Sequence, residues 1–241
     1  MNVAEIWRYP VKSLQGERLE SAEITTEGIE GDRGYAIFDL ETGFGLTGRR
    51  EAQLLFGSAR LTDGCVEITL PDGTIAADDA ALSEWLGRPV ALRNNTEVAE
   101  RRYQSPEDFE HEDNSQWEAF DGARGSFRDS QAAVVSLVST GTLGDWDRRR
   151  FRANILLDGS GEDDLIGSTV ALGDAELGIL KGLGRCVMVT RAQPGIERDL
   201  DVLRTVHRER DHTLAVGAAV LRTGRIRVGD DLRSAVEHRG D

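Results

Sequence analysis

A chain of 241 residues has room for a sizeable core, as one large domain or two small ones. Its formal charge of -14 argues against nucleic acid or an anionic membrane surface as the main partner. Two cysteines, Cys65 and Cys186, are too few for a disulfide framework or for the four thiolates of a usual iron–sulfur cluster, so redox chemistry here would draw its electrons from a partner or a bound group. No apolar run approaches the length of a membrane span, and Met1-Asn2-Val3-Ala4-Glu5 lacks the basic start of a signal peptide, so a cytoplasmic location is the expectation. Lys12 and Lys181 are the only lysines among many arginines, a bias expected of a GC-rich genome or of a proteome adapted to high salt.

Residues 3–9 alternate and then meet Pro10, so a strand ends in an extended corner, Tyr9-Pro10-Val11-Lys12-Ser13. Short strands are expected at 19–24, 35–38, 54–59 and 66–70. Turns separate them at Gly28, Gly31-Asp32, Thr42-Gly43, Asp63-Gly64 and Asp72-Gly73. Asp78 and Asp79 open a helix that reaches residue 86 and is closed by Gly87 and Pro89, before a strand at 90–92. From 93 to 129 the pattern fails, and the acidic stretch 105–114 reads as a loop or lid beside a domain boundary.

The second half starts with a strand at 133–138. Ser139 or Thr140 then caps a helix expected to run through Trp146 into Arg148-Arg149-Arg150, where cations suit a helix C-terminus. A strand at 155–157, a solvated acidic loop at 158–164 and strands at 169–172, 176–180 and 186–190 follow. A helix at 200–210 and strands at 214–221 and 225–228 close the pattern. Many short strands with glycine punctuation and a few short helices make the chain mainly β, a sandwich or barrel.

Cys186 follows Arg185 within Gly182-Leu183-Gly184-Arg185-Cys186-Val187-Met188-Val189, at the mouth of an apolar run. It reads either as a soft metal ligand and nucleophile or as a small buried apolar side chain. Lys12, backed by Ser13 on a rigid corner, is a point charge for phosphate or a solvated surface lysine. In Gly31-Asp32-Arg33, Arg33 is either aimed at a phosphate or held in a surface ion pair. Asp129 and Ser130, in Phe127-Arg128-Asp129-Ser130, could meet the polar edge of a heterocycle, as could Asn154 in Phe151-Arg152-Ala153-Asn154; Arg152 could clamp an anion. Each has a plain reading as a turn cap.

Sharper patterns fail. His207 and His212 are five apart, off the face that a helical zinc pair needs, and His111 and His238 lie in polar segments. The run from Asp158 to Asp164 lacks the central glycine and distal glutamate of a calcium loop. Gly182-Leu183-Gly184 is not a dinucleotide fingerprint, and neither a nucleophile elbow nor a Walker loop is found.

Taken in order, the pieces resemble the MOSC family, the domain of molybdenum cofactor sulfurases and the amidoxime-reducing component, which also occurs in association with pyridoxal phosphate proteins. Ile6-Trp7-Arg8-Tyr9-Pro10-Val11-Lys12-Ser13-Leu14-Gln15-Gly16, Gly28-Ile29-Glu30-Gly31-Asp32-Arg33 and Leu46-Thr47-Gly48-Arg49-Arg50-Glu51 look like the β-barrel domain that precedes many MOSC domains. Asp129-Ser130, Val135-Ser136-Leu137-Val138-Ser139, Phe151-Arg152-Ala153-Asn154-Ile155, Arg185-Cys186 and Gly224-Arg225-Ile226-Arg227-Val228-Gly229-Asp230 are similar to the MOSC domain itself, in its order. The resemblance implies an N-terminal β-barrel domain over 1–104, an acidic connector or lid over 105–128 and a MOSC β-barrel domain over 129–235.

It further implies that Cys186 ligates molybdenum in a pterin cofactor (molybdopterin). Lys12, Ser13 and Arg33 would bind that cofactor from the N-terminal side, and Asp129, Ser130, Arg152, Asn154 and Arg185 from the MOSC side. The implied activity is reduction of small N-hydroxylated substrates, hydroxylamines or amidoximes, with electrons from an external ferredoxin or flavoprotein. The alternatives are a molybdenum cofactor carrier or sulfur-transfer module without turnover, and a cofactor-free β-barrel interaction protein. The sequence departs from the family at Ala153, where proline is usual, at Ala192-Gln193-Pro194 in place of Val-Asp-Pro, at Leu165 near an expected tryptophan, and at Gly184 where amidoxime reducers have serine.

Overall fold

The computed structural model describes residues 1–98, 100–108 and 110–235; His238 lies outside the described residues. The chain is mainly β, with three short α-helices among the described residues. Its largest element is an eight-stranded sheet curled into a half-barrel. From one edge to the other the strands are Leu232–Ser234, Thr169–Leu172, Ala175–Gly184, Thr213–Arg222, Val135–Ser139, Ile155–Leu157, Val3–Arg8 and Glu17–Leu19. Val135–Ser139 and Ile155–Leu157 pair in parallel, which demands a crossover. The helix Thr140–Leu143 and the 3-10 turn Arg148–Arg150 provide it. Ile6, Leu137, Ile155, Leu157, Leu177 and Ile179 fill the inside of the curl. The helix Asp201–Glu209 covers another apolar cluster, setting Val202, Leu203 and Val206 among Val138, Phe151, Leu156 and Val189.

The N-terminal half has its own core of Val11, Leu14, Ile37, Leu54, Leu82, Leu86 and Val90. Around it lie the pairs Tyr35–Asp39 with Val90–Asn94 and Ser58–Thr62 with Cys65–Thr69. The helix Asp79–Leu86 forms where its end signals place it: the Asp78 carboxylate accepts from Ala81 N at 3.0 Å, and Gly87 adopts φ 67° at the other end. The halves are interlaced. Val3–Arg8 pairs with Ile155–Leu157 inside the large sheet, and Gly224–Arg227 pairs with Ser21–Thr25.

Several expected elements take another form. Residues 52–56 are a 3-10 turn, because adjacent Leu54 and Leu55 are both fully buried, and a strand would send them to opposite faces. The strand begins only at Ser58–Thr62. Residues 187–190 are likewise a 3-10 turn; a four-residue apolar run does not distinguish this from a strand. The neighbouring strand is longer than expected, Ala175–Gly184, and stops just before Arg185-Cys186. The helix expected from 139 to 150 ends at Leu143, where Gly144 leaves helical geometry at φ 53° and ψ -125°. Arg148–Arg150 therefore do not complement a helix terminus.

The acidic loop is not wholly solvated: Glu162 is 0% exposed and accepts from Ser139 N at 3.1 Å and Thr142 Oγ1 at 2.9 Å. The stretch 93–129 is not aperiodic loop. Arg102–Pro106 and Trp117–Asp121 form an antiparallel hairpin with a 3-10 turn, Glu112–Asn114, near its tip. No helix among the described residues is long and apolar enough to cross a membrane.

Candidate functional site

The corner after the first strand is pinned by Lys12 N donating to Tyr35 O at 2.8 Å and Tyr35 N to Pro10 O at 3.0 Å. Ser13 then takes φ 69°, and its Oγ accepts from Gly48 N at 2.9 Å. This geometry turns Lys12 inward, so it is no surface lysine. Its Nζ donates to Phe127 O at 3.0 Å and to Asp129 Oδ1 at 2.7 Å, and lies 4.8 Å from the centre of the Tyr103 ring. Burial pulls the ammonium below the usual lysine range, while Asp129 opposes that shift.

Arg33 and Arg152 also sit at left-handed backbone positions, φ 53° and 54°, unusual for residues with a side chain. Both guanidinium groups lie over the Tyr9 ring, at 5.0 and 4.3 Å. Arg33 is partnered, by Asp32 and by Arg152 O at 3.1 Å. Arg152 is 5% exposed, and neither its Nη1 nor its Nη2 has a hydrogen-bond partner. Burial draws it down to about 10; the Tyr9 hydroxyl favours its charge and Arg33 disfavours it. It remains a cation at neutral pH.

Asp129 is 59% exposed at its side chain yet faces cations on two sides. Desolvation opposes its ionisation, but Lys12 and Arg49 outweigh that and hold the carboxyl well below the usual range. Ser130 Oγ accepts from Ala133 N at 3.1 Å, a turn bond. The Asn154 amide is spoken for on both sides: Oδ1 accepts from Ser136 Oγ at 2.9 Å, and Nδ2 donates to Trp7 O at 3.2 Å. Arg185 donates to the Leu214 carbonyl and, at 3.0 Å, to Phe151 O. Burial draws it down to about 10, and Cys186 pulls it the other way.

Cys186 opens the 3-10 turn with an extended backbone and is half-buried. Arg49 Nε donates to its Sγ at 3.2 Å, and Arg49 Nη2 donates to Asp129 Oδ2 at 3.1 Å. Burial works against the Arg49 charge, but Cys186 and Asp129 more than compensate and raise it above the usual arginine range. Sequence reasoning did not single out Arg49 or Tyr9 as site residues. Both stand in runs that carry the family likeness, but no spacing marks Arg49 as facing Cys186 or Tyr9 as lying beneath Arg33 and Arg152.

These groups meet in one cleft of two adjoining cavities, about 140 Å³ and 220 Å³, that share Arg33, Asp129, Phe151, Arg152, Gly184 and Arg185. Ser130 and Asn154 line the first; Lys12, Ser13, Arg49 and Cys186 line the second. All nine residues singled out from the sequence therefore line it. In a chain of net charge -14 the cleft gathers cations, which suits an anionic ligand.

The model of the MOSC N-terminal beta barrel domain matches residues 1–117, and that of the MOSC domain matches residues 127–233. The chain belongs to the MOSC domain family. MOSC domains are associated in general with molybdenum cofactor binding. The chain is 36% identical over 73 residues to mitochondrial amidoxime reducing component 2 of Bos taurus, a match covering 29% of this chain and 21% of that protein, about a fifth of its length. Among solved structures, YiiM from Geobacillus stearothermophilus aligns over 45% of this MOSC chain and 57% of its own, with TM-score 0.37 and 17% identity. The YUAD protein from Bacillus subtilis aligns over 98% of this chain and 96% of its own, with TM-score 0.47 and 10% identity.

Proposed function

We propose that the cleft binds a phosphorylated pterin carrying molybdenum, with Cys186 as the protein ligand to the metal, and that the chain reduces N-hydroxylated compounds. The observation that carries this reading is Arg152: a buried guanidinium whose two terminal nitrogens lack partners, in the same cleft as a half-buried thiol. A planar fork of that kind matches a phosphate bidentately, and sulfur is the soft donor that molybdenum accepts. Among the described residues no group of three His, Cys, Asp or Glu side chains could hold a metal ion, so a metal here would arrive with its other ligands. The residues present fit the cofactor.

When bound, the cofactor would supply two-electron oxygen-transfer chemistry for cleaving the N–O bond of a hydroxylamine or amidoxime. The chain's own residues would do the rest. Arg152, with Arg33 behind it, neutralises the phosphate. Arg49 hydrogen-bonds the Cys186 sulfur and so modulates the electron density it offers a metal. Asp129 fixes both Lys12 and Arg49 in place. Electrons would come from an external ferredoxin or flavoprotein. The amidoxime-reducing relative supports the substrate class.

The test is donor-dependent reduction of a model hydroxylamine and a model amidoxime by protein made in a host that synthesises the cofactor. Turnover in the wild type that disappears in Cys186→Ser is expected. Bound cofactor with no turnover from either donor class would make the chain a carrier instead of a reductase.

A further inference from the structure

The strand Ala175–Gly184 ends in Gly182-Leu183-Gly184, and glycine ordinarily weakens a strand. Packing accounts for Gly182: a Cβ there would come within 2.9 Å of Thr213 Oγ1 on the neighbouring strand. Gly184 has no such reason. Its φ lies outside the left-handed region, and no heavy atom beyond its chain neighbours comes within 4 Å of where its Cβ would stand. Among the described glycines it alone combines these two properties, so the fold would accept a side chain at this position.

What sets Gly184 apart is its place. It lines both cavities of the cleft, two residues before Cys186, and it is exposed. The groups suited to an anion, Lys12 and Arg152, line the cleft too but are only 7% and 5% exposed. The cleft therefore has a buried cationic end and an open stretch of bare backbone close to the thiol. A strand glycine that neither conformation nor packing demands marks a place where a ligand can lie close against the peptide. A flat, bulky group gains most from such a wall, because any side chain there would hold it off.

We propose that Gly184 is the size-determining position of the cleft: its bare backbone lets a reactant that carries a bulky planar group reach Cys186. A larger side chain there turns such reactants away and still admits small ones. Selection by size at the sulfur does not depend on what the cleft binds. The corresponding substrate preference, for an N-hydroxylated group borne on an aromatic ring system, rests on the reductase reading given above.

Alkylation of Cys186 in cofactor-free protein reads access by size, in a Cys65→Ser background because Cys65 is exposed. Gly184→Leu is expected to react with iodoacetamide at the rate of its parent. With N-(1-pyrenyl)maleimide it is expected to react roughly tenfold more slowly, since a misfit of a few carbons in a pocket discriminates by at least that factor. If Gly184→Leu does not fold, Gly184→Val reads the same position with a smaller difference. Equal slowing of both reagents, or slowing of neither, by the folded variant would overturn the proposal. In protein loaded with cofactor, the same substitution is expected to lower kcat/KM for 2-naphthamidoxime relative to acetamidoxime roughly tenfold, at unchanged molybdenum and pterin content. Loss of pterin from the variant would also overturn the proposal, by giving the bare backbone to the cofactor. Size-selective alkylation together with no turnover by the wild type would uphold the role of Gly184 and sink only the reductase reading.

Discussion

Arg152 combines features that work against stability: a left-handed backbone, near-complete burial and a guanidinium with both terminal nitrogens unpartnered. Each costs about 1–3 kcal/mol by general experience. A ligand that offers an anion recovers the electrostatic part, which makes Arg152→Met informative in two opposite directions. Without ligand, the variant is expected to unfold in urea at the wild-type midpoint or above it, because an unpaired buried charge has gone. In cells that make the cofactor, the same variant is expected to retain far less pterin than the wild type. A clear drop in the urea midpoint would instead make Arg152 structural. Arg49 shows what the sequence withholds at this scale: its contact with Cys186 spans 137 positions and is created by the fold. Lys12, Cys186 and Arg152 were legible because their types and neighbours suggest chemistry on their own. For Asn154 the residue was legible but not its bonding, since its amide is used by Ser136 and Trp7.

Among the elements, the capped helix Asp79–Leu86 and the amphipathic helix Asp201–Glu209 could be read in advance, because their end signals or periodicity are local. The hairpin Arg102–Pro106 with Trp117–Asp121 could not. Its outer face is polar, and its packing depends on two glycines, one far away in the chain and one just after its second strand. Tyr103, 1% exposed, lies so close to Gly45 and Gly122 that a Cβ at either would come within 2.4 Å of its ring. The ring in turn lies beneath the Lys12 ammonium, linking the hairpin's base to the cleft. Its hydroxyl is buried without a hydrogen-bond partner. Tyr103→Phe is therefore expected to leave urea stability unchanged or to raise it, whereas Gly122→Ala should cost about 1–3 kcal/mol through overpacking against the ring. A Tyr103→Phe variant destabilised as much as Gly122→Ala would mean that the hydroxyl is satisfied in solution.

Across the whole molecule, the two matched regions behave as one structure. The first strand completes the sheet of the second region, and Gly224–Arg227 returns to pair with Ser21–Thr25. The cleft is built along that seam, with Lys12, Ser13, Arg33 and Arg49 from one region and Asp129, Arg152, Arg185 and Cys186 from the other. Strand-rich architecture was legible from many short apolar runs and glycine turns; the interlacing was not, because strand partners at such separations leave no local mark. The charge distribution follows the same seam: an acidic molecule of -14 concentrates its cations where an anion and a soft metal would meet. The most direct measurement is elemental analysis for molybdenum, with release of the oxidised pterin, on wild type and Cys186→Ser from a host that makes the cofactor. Near-equimolar metal and pterin in the wild type, with metal lost or its ligation changed in Cys186→Ser, is the predicted result. Absence of both metal and pterin from the wild type would contradict the account.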